Sequence, residues 1–242
     1  MLCFSHRRFF GESVKDELLF LLLGLSGGSC YFLAENTSLK LSTASNTAIF
    51  VGSAPLITAL LSALFGSGEK LNARNIVGSV MAFVGMSLVV YNGEVVLELN
   101  PAGDVLAFGA ALIWGAYTLI LRKVTGRYDV TFITRKVFFY GLATILLYFL
   151  FVEPINCDLE VLSRPSVLFN ILYLGLVASL VCYLVWNWAL GRLGAVRTTN
   201  LIYVQCLFTM TFAHFILGET ITWMAIAGTL VLVVGMMNAL SN

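Results

Sequence analysis

Charge is scarce in this sequence. Asp, Glu, Lys and Arg make up 11% of its 242 residues, where a soluble domain carries about 25%. With 59% hydrophobic residues, the chain has more apolar surface than one water-facing core of this length could hide. A soluble enzyme and a disordered chain are thereby excluded. Fourteen Lys and Arg against thirteen Asp and Glu leave a net charge of +1, which excludes a basic nucleic-acid surface. A cysteine framework is also missing. Cys3, Cys30, Cys157, Cys182 and Cys206 are odd in number and irregularly spaced, and three lie in apolar runs, so neither disulfides nor a zinc site is expected. There is no His-x-x-x-His and no carboxylate pair, so no metal is expected, and no cofactor. Gly66-Ser67-Gly68-Glu69-Lys70 misses the spacing Gly-x-x-x-x-Gly-Lys-Ser/Thr of a phosphate-binding loop, so no ATP-driven step is expected. The opening Met-Leu-Cys-Phe-Ser-His-Arg-Arg is too short in its apolar part, and too polar afterwards, for a signal peptide.

What is present is length of apolar run. A spanning helix needs about 20 mostly apolar residues. Eight runs qualify, over 17–38, 44–66, 74–91, 103–121, 132–152, 167–190, 198–217 and 221–240. They are too long for barrel strands and do not alternate, so helices are expected and not a β-barrel. With eight spans, one side of the membrane collects Arg7, Arg8, Lys15, Lys70, Arg74, Arg122, Lys123, Arg127, Arg135, Lys136, Arg192 and Arg197, and the other side only Lys40 and Arg164. Twelve against two places the basic side in the cytoplasm. Both termini are then expected to be cytoplasmic, with residues 1–16 forming a cytoplasmic N-terminal segment.

The chain also matches itself. Residues 68–86 and 218–236, at an offset of 150, share seven of nineteen positions: Gly68/Gly218, Glu69/Glu219, Ile76/Ile226, Gly78/Gly228, Val84/Val234, Gly85/Gly235 and Met86/Met236. Upstream, at an offset of 151, Asn36/Asn187, Leu39/Leu190, Ala44/Ala195, Thr47/Thr198, Leu56/Leu207 and Thr58/Thr209 match. Apolar helices share Leu and Val by composition alone. A shared Gly-Glu at a helix boundary and two glycines seven apart do not follow from composition. The first copy starts with an outward span and the second with an inward one, so the repeat is inverted. Inverted repeats place a substrate site near the midplane and permit alternating access. The second copy has two spans before its matched three, and the first copy has none. The expected architecture is therefore all-α, with eight transmembrane helices in an inverted repeat of three plus five.

Several stretches carry a family resemblance: Pro55 in a span that ends at Gly68-Glu69-Lys70-Leu71; Gly78 and Gly85; Gly103-Asp104-Val105-Leu106-Ala107 leading to Ile113-Trp114-Gly115-Ala116-Tyr117; Arg135; Trp186-Asn187-Trp188-Ala189-Leu190; Leu193-Gly194-Ala195; and Phe215 to Glu219. In their order and spacing the chain resembles the EamA-type membrane proteins of the drug/metabolite transporter superfamily, over about 17–240. The resemblance implies ten helices in two five-helix halves, with both termini inside. This chain resembles helices three to ten. Residues 17–91 correspond to a truncated first EamA-like repeat and 103–240 to the second. At Gln205-Cys206 the family often has an acidic residue followed by proline, so a straighter helix is expected there than around Pro55.

Glu35 and Asn36 sit toward the outer end of the first span. An ionisable group at membrane depth is a functional candidate, here for a proton or a cationic substrate group. Otherwise Glu35 lies at the headgroup level. Asn36 and Asn187 match across the repeat and are candidates to face one cavity; otherwise they join helices by hydrogen bonds. Asn36-Thr37-Ser38 also fits a glycosylation sequon, too close to the bilayer to be used. Trp114 and Tyr117 share a helix face and, with Tyr203 and Gln205, are candidates to line an amphipathic cavity. Packing against other helices is the alternative. Glu69 and Glu219 are expected at helix starts, offsetting the dipole. Arg135 is expected to snorkel at the cytoplasmic edge. Pro55, Gly78, Gly85, Gly228 and Gly235 are structural. Ala107, Ala111 and Gly115, and Gly24 and Gly28, are spaced four apart for close helix contact.

A rival chemistry is an intramembrane serine protease. Gly24-Leu25-Ser26-Gly27-Gly28 fits both Gly-x-Ser-x-Gly and Gly-x-Ser-Gly, with His214 as base. An elbow needs a strand–turn–helix setting, whereas an apolar helix surrounds Ser26, six spans separate the two residues, and they lie at different depths. A tight helix interface explains the cluster better. The expected function is a secondary transporter of small organic metabolites, an amino acid or a drug-like compound, by alternating access. The alternative is a non-transporting membrane subunit or remnant. Expected partners are the small-molecule substrate, membrane lipid, a coupling proton and a second copy in a homodimer, with no nucleic acid. The first, second, fourth, sixth and seventh spans would form the cavity, in an inner or plasma membrane.

Overall fold

The computed structural model describes residues 9–65, 72–91, 100–152, 159–217 and 220–241. Among these, eight helices are long and apolar enough to cross a membrane: Val14–Leu41, Ala44–Phe65, Ala73–Tyr91, Pro101–Val124, Val130–Phe151, Pro165–Leu193, Ala195–Ile216 and Trp223–Leu240. They are numbered here as the first to eighth spans. Each covers the corresponding apolar run of the sequence, with ends shifted by three residues or fewer. Helices form because lipid offers backbone N–H and C=O groups no partners, so each segment must bond to itself. Ser13, Thr43 and Thr222 cap the first, second and eighth spans, accepting bonds from the backbone N–H groups of Asp16, Asn46 and Ala225. These bonds satisfy donors that a helix start otherwise leaves open.

The sixth and seventh spans are separated by Gly194 alone. Its φ of 87° is left-handed, a conformation glycine adopts without steric cost. The first span is π-helical over Gly24–Cys30, and the second breaks at Gly52–Ser53, just before Pro55. The seventh span has no such break. It tightens into a 3-10 turn at Leu201–Tyr203, close to the repeat counterpart of the Gly52–Ser53 break. Gln205 and Cys206 themselves lie in the α-helix Val204–Phe212, whereas the second span is interrupted before Pro55. The turn sets Tyr203 into a buried cluster with Ala82, Met86 and Leu232, and that packing supplies a local reason for the irregular turn. Glu69 and Glu219, with Gly68 and Gly218, lie outside the described residues.

The chain divides into two compact units. One holds residues 1–29 and 120–192, the other residues 30–119 and 193–242. In the first unit the opening of the first span packs on the fifth. A Cβ at Gly24 would stand 2.7 Å from the Gly141 backbone nitrogen, and one at Gly28 would stand 2.7 Å from the Gly141 Cα. In the second unit the third and eighth spans make the most extensive helix contact. A Cβ at Gly78 would meet the Gly235 carbonyl oxygen at 2.7 Å, and one at Gly235 the Gly78 carbonyl oxygen at 2.8 Å. Gly85 and Gly228 oppose each other likewise, at 2.6 and 2.8 Å. Shifting either pair by the repeat offset of 150 exchanges it with the other. The contact is therefore antiparallel and reciprocal, an isologous interface within one chain.

Bonds at the helix ends respect the alternation of spans. Ser42 Oγ donates to Asp104 Oδ1 at 2.9 Å, joining the first–second connection to the start of the fourth span. Asn75 Nδ2 donates to the Ala239 and Ser241 carbonyls at 2.8 and 3.0 Å, joining the start of the third span to the end of the eighth. The exposed faces are apolar, as with Leu168, Phe169, Leu172, Leu174 and Leu176 along the sixth span, which suits contact with lipid. Gly85→Leu, which forces a side chain into the third–eighth seam, is expected to destabilise the purified protein by about 3 kcal/mol or more. Gly109→Ala, whose Cβ meets nothing within 4 Å, is expected to be neutral. Equal unfolding midpoints for the two variants would contradict the close packing.

Candidate functional site

The polar chemistry of the second unit begins in the outer segment of the first span. Tyr31 and Glu35 are four residues apart on one helix and therefore neighbours on its face. The Tyr31 hydroxyl donates to Glu35 Oε1 at 2.9 Å. The Tyr31 ring centroid lies 4.9 Å from that of Trp114, and Trp114 lies 5.1 Å from Tyr117. Trp114 is held by the packing of its own span. It rests against Ala54, Ile57 and Ala111, and Gly115 below it leaves 3.1 Å between an added Cβ and Ile57 Cγ2. Glu35, Tyr31 and Trp114 are half-buried, while Tyr117 is fully buried. The residues named from sequence thus include one cluster, Glu35–Trp114–Tyr117, joined through a residue the sequence reading passed over, Tyr31.

The other candidates stand apart from that cluster. Asn36 is exposed and donates its Nδ2 to the Phe32 carbonyl at 2.7 Å. Asn187 is buried in the first unit and donates to Thr134 Oγ1 at 2.8 Å, which ties the sixth span to the fifth. The two asparagines match in sequence and differ in setting. Gln205 is exposed. Tyr203 is fully buried, and its hydroxyl has no partner among the described residues. The same is true of Ser62 Oγ, Thr198 Oγ1 and Asn200 Oδ1, on the second and seventh spans, which pack together through Ala54–Phe65 and Ala195–Asn200. An unsatisfied buried polar group costs about 1–3 kcal/mol, so these positions suit bound water. Ser26 donates to the Leu22 carbonyl at 2.6 Å within its own helix, and its neighbours Gly24 and Gly28 serve the contact with Gly141.

Sequence reasoning also missed an ion-pair network in the first unit. Asp16, 2% exposed, receives Arg127 Nη2 at 2.8 Å on both oxygens and the Tyr128 hydroxyl at 2.8 Å. Partial burial, together with the bond it gives Asp16, pushes the Tyr128 hydroxyl above its usual range. Glu17 pairs with Lys136, whose Nζ lies 2.8 Å from Oε1, and also accepts from Tyr140 and the Gly11 N–H. The Lys136 ammonium lies within 6 Å of the Phe9, Phe10, Phe132 and Tyr140 rings, a cation–π setting. Arg135 stacks over Phe9 and Phe132 at 5.6 and 5.0 Å. The signal available in sequence was Ser13-x-x-Asp16, a capping-box spacing that puts both acids inside the helix.

These features can be set beside known proteins. The model of the EamA-like transporter family matches residues 1–91 and 101–240. The chain belongs to the EamA-like transporter family. An Archaeoglobus fulgidus protein described as an uncharacterized transporter is 26% identical over 228 residues, covering 92% of this chain and 76% of that protein. A probable terminal-alkyne amino-acid exporter of Streptantibioticus cattleyicolor is 25% identical over 223 residues, covering 92% and 73%. A probable amino-acid metabolite efflux pump of Salmonella typhimurium is 25% identical over 240 residues, covering 94% and 78%. A solved crystal structure superposes with a TM-score of 0.74 at 17% identity, over 94% of this chain and 76% of that one, and shares its fold. As an EamA-like protein the chain is a multi-pass membrane protein. Its first-unit network is expected to behave as a coupled pair of elements: Glu17→Gln and Lys136→Met should each lower the unfolding midpoint, and the double variant should lose less than their sum. Additivity within about 0.5 kcal/mol would show the two groups uncoupled.

Proposed function

We propose that this EamA-like protein is a secondary transporter of small organic metabolites, working by alternating access. The observation that carries the reading is the family match over nearly the whole chain, on a fold of eight apolar spans among the described residues. Two relatives named for amino-acid or metabolite export make amino acids and their derivatives the first compounds to test. The inverted repeat supports alternating access. The twelve-to-two distribution of basic residues supports cytoplasmic termini in an inner or plasma membrane. A proton is proposed as the coupling ion. Among the candidate site residues, Glu35, Asn36, Trp114 and Gln205 are the ones a substrate can reach, being half-buried or exposed. Tyr117 and Tyr203, fully buried, are proposed to shape the site, and buried Asn187 to brace the first unit through Thr134.

Purified protein in vesicles is expected to accelerate exchange of labelled amino acids across the membrane over protein-free vesicles. Exchange of no small-metabolite class would sink the transporter reading. Asn187→Ala is expected to insert normally and to abolish exchange. Thr134→Val, which removes its partner hydroxyl, should lower exchange as well; full activity in both variants would remove the pair from the mechanism. Orientation has its own test in a cysteine-free background. Ser163→Cys should react with a membrane-impermeant maleimide in intact cells, and Lys123→Cys should react after the cells are opened. The opposite pattern would reverse the topology.

A further inference from the structure

The first span carries three acidic side chains, and two of them are answered by bases. Asp16 meets Arg127 and Glu17 meets Lys136. Glu35 has no basic partner among the described residues. It accepts one bond, from Tyr31 to Oε1, and its second oxygen takes none from the described residues. Glu35 lies six residues before the end of the span at Leu41, about 9 Å along the helix at 1.5 Å per residue. Within an apolar span an unanswered carboxylate is costly, and such groups mark substrate or ion paths.

A proton alone would settle the charge but requires no aromatic surroundings. Here the Tyr31, Trp114 and Tyr117 rings continue from the carboxylate at centroid spacings of 4.9 and 5.1 Å. A ring face attracts a cation within about 6 Å of its centroid, and the same ring offers an apolar body a surface to lie on. A carboxylate beside a run of aromatic rings suits an organic ammonium group on an apolar body. All four residues belong to the second unit, so the arrangement is complete within one compact unit of the fold. Tyr31 further fixes the carboxylate rotamer through its hydrogen bond.

We propose that Glu35, Tyr31 and Trp114 form a subsite for a cationic amine, and that the transported metabolite carries a protonated or quaternary nitrogen. The subsite rests on the transport reading above for its role, though not for its binding chemistry. Three probes of matched size test it on the detergent-purified full chain by calorimetric titration: phenethylamine, 2-phenylethanol and 3-phenylpropionate. Phenethylamine is expected to bind about tenfold or more tightly than the neutral alcohol, and the anion more weakly still. Glu35→Gln is expected to erase that preference. Tyr31→Phe, which keeps the ring and loses the donor, should retain it with a loss of about threefold. Equal binding of the three probes, a preference for the anion, or no binding of the amine to the unmodified protein overturns the subsite, whatever the variants do. An unchanged preference in Glu35→Gln overturns it as well. In vesicles, exchange of neutral or anionic metabolites that Glu35→Gln leaves intact would overturn this proposal and leave the transporter reading standing. A protein that binds the amine selectively and exchanges nothing would retain the subsite and sink the transporter reading.

Discussion

Close approach of backbone to backbone is the constraint on which the fold depends. Lipid tails are as apolar as leucine, so helices in a membrane gain little from burying apolar side chains against one another. They gain from dispersion contacts, which fall off steeply with distance, and from the removal of whatever holds them apart. The third and eighth spans meet where Gly78, Gly85, Gly228 and Gly235 leave no side chain in the way. The first unit repeats the device with Gly24, Gly28 and Gly141. The fourth span uses Ala107, Ala111 and Gly115, with Ala111 and Gly115 set against the second. Because the glycine pairs of the third and eighth spans exchange under the repeat shift, one local contact geometry serves twice.

Charge is handled differently at different depths. Asp16 and Glu17, near the start of the first span, are surrounded by donors: Arg127 and Tyr128 for one, Lys136, Tyr140 and a backbone N–H for the other. A buried ion pair is tolerated when its remaining lone pairs are also satisfied, and here they are. The network ties the first span to the fourth–fifth connection and the fifth span. Glu35, farther along the same helix, has one phenolic donor and a row of rings. One helix thus carries two fully answered acids near its start and one partly answered acid farther along.

The spans were legible in the sequence because twenty-residue apolar runs with few charges have no other stable fate in this composition. The glycines of the seam stood out in the sequence as small residues at a fixed offset; that the third and eighth spans meet along them did not. The ion-pair network was not legible. Asp16 sits 111 positions from Arg127, and local pattern carries no record of a partner that distant. Asn36 and Asn187 show the limit of repeat logic. They match at the repeat offset, yet one bonds to its own helix at the surface and the other is buried against Thr134. A repeat preserves position in the chain; the neighbours contributed by other spans decide what a polar side chain does. The same holds for Tyr31, whose role depends on Trp114 arriving from the fourth span.

The seventh span brings these strands together. Without a proline it still departs from regular helix at Leu201–Tyr203. Thr198, Asn200 and Tyr203, on or beside that turn, are buried with polar atoms that no described residue satisfies. Ser62, on the span that packs against its start, is in the same condition. Four such groups at about 1–3 kcal/mol each would be a large cost for a fold to carry for no return. The cost is removed when water reaches these groups. Unsatisfied polarity is thus concentrated where the seventh span leaves regular helix and where it meets the second.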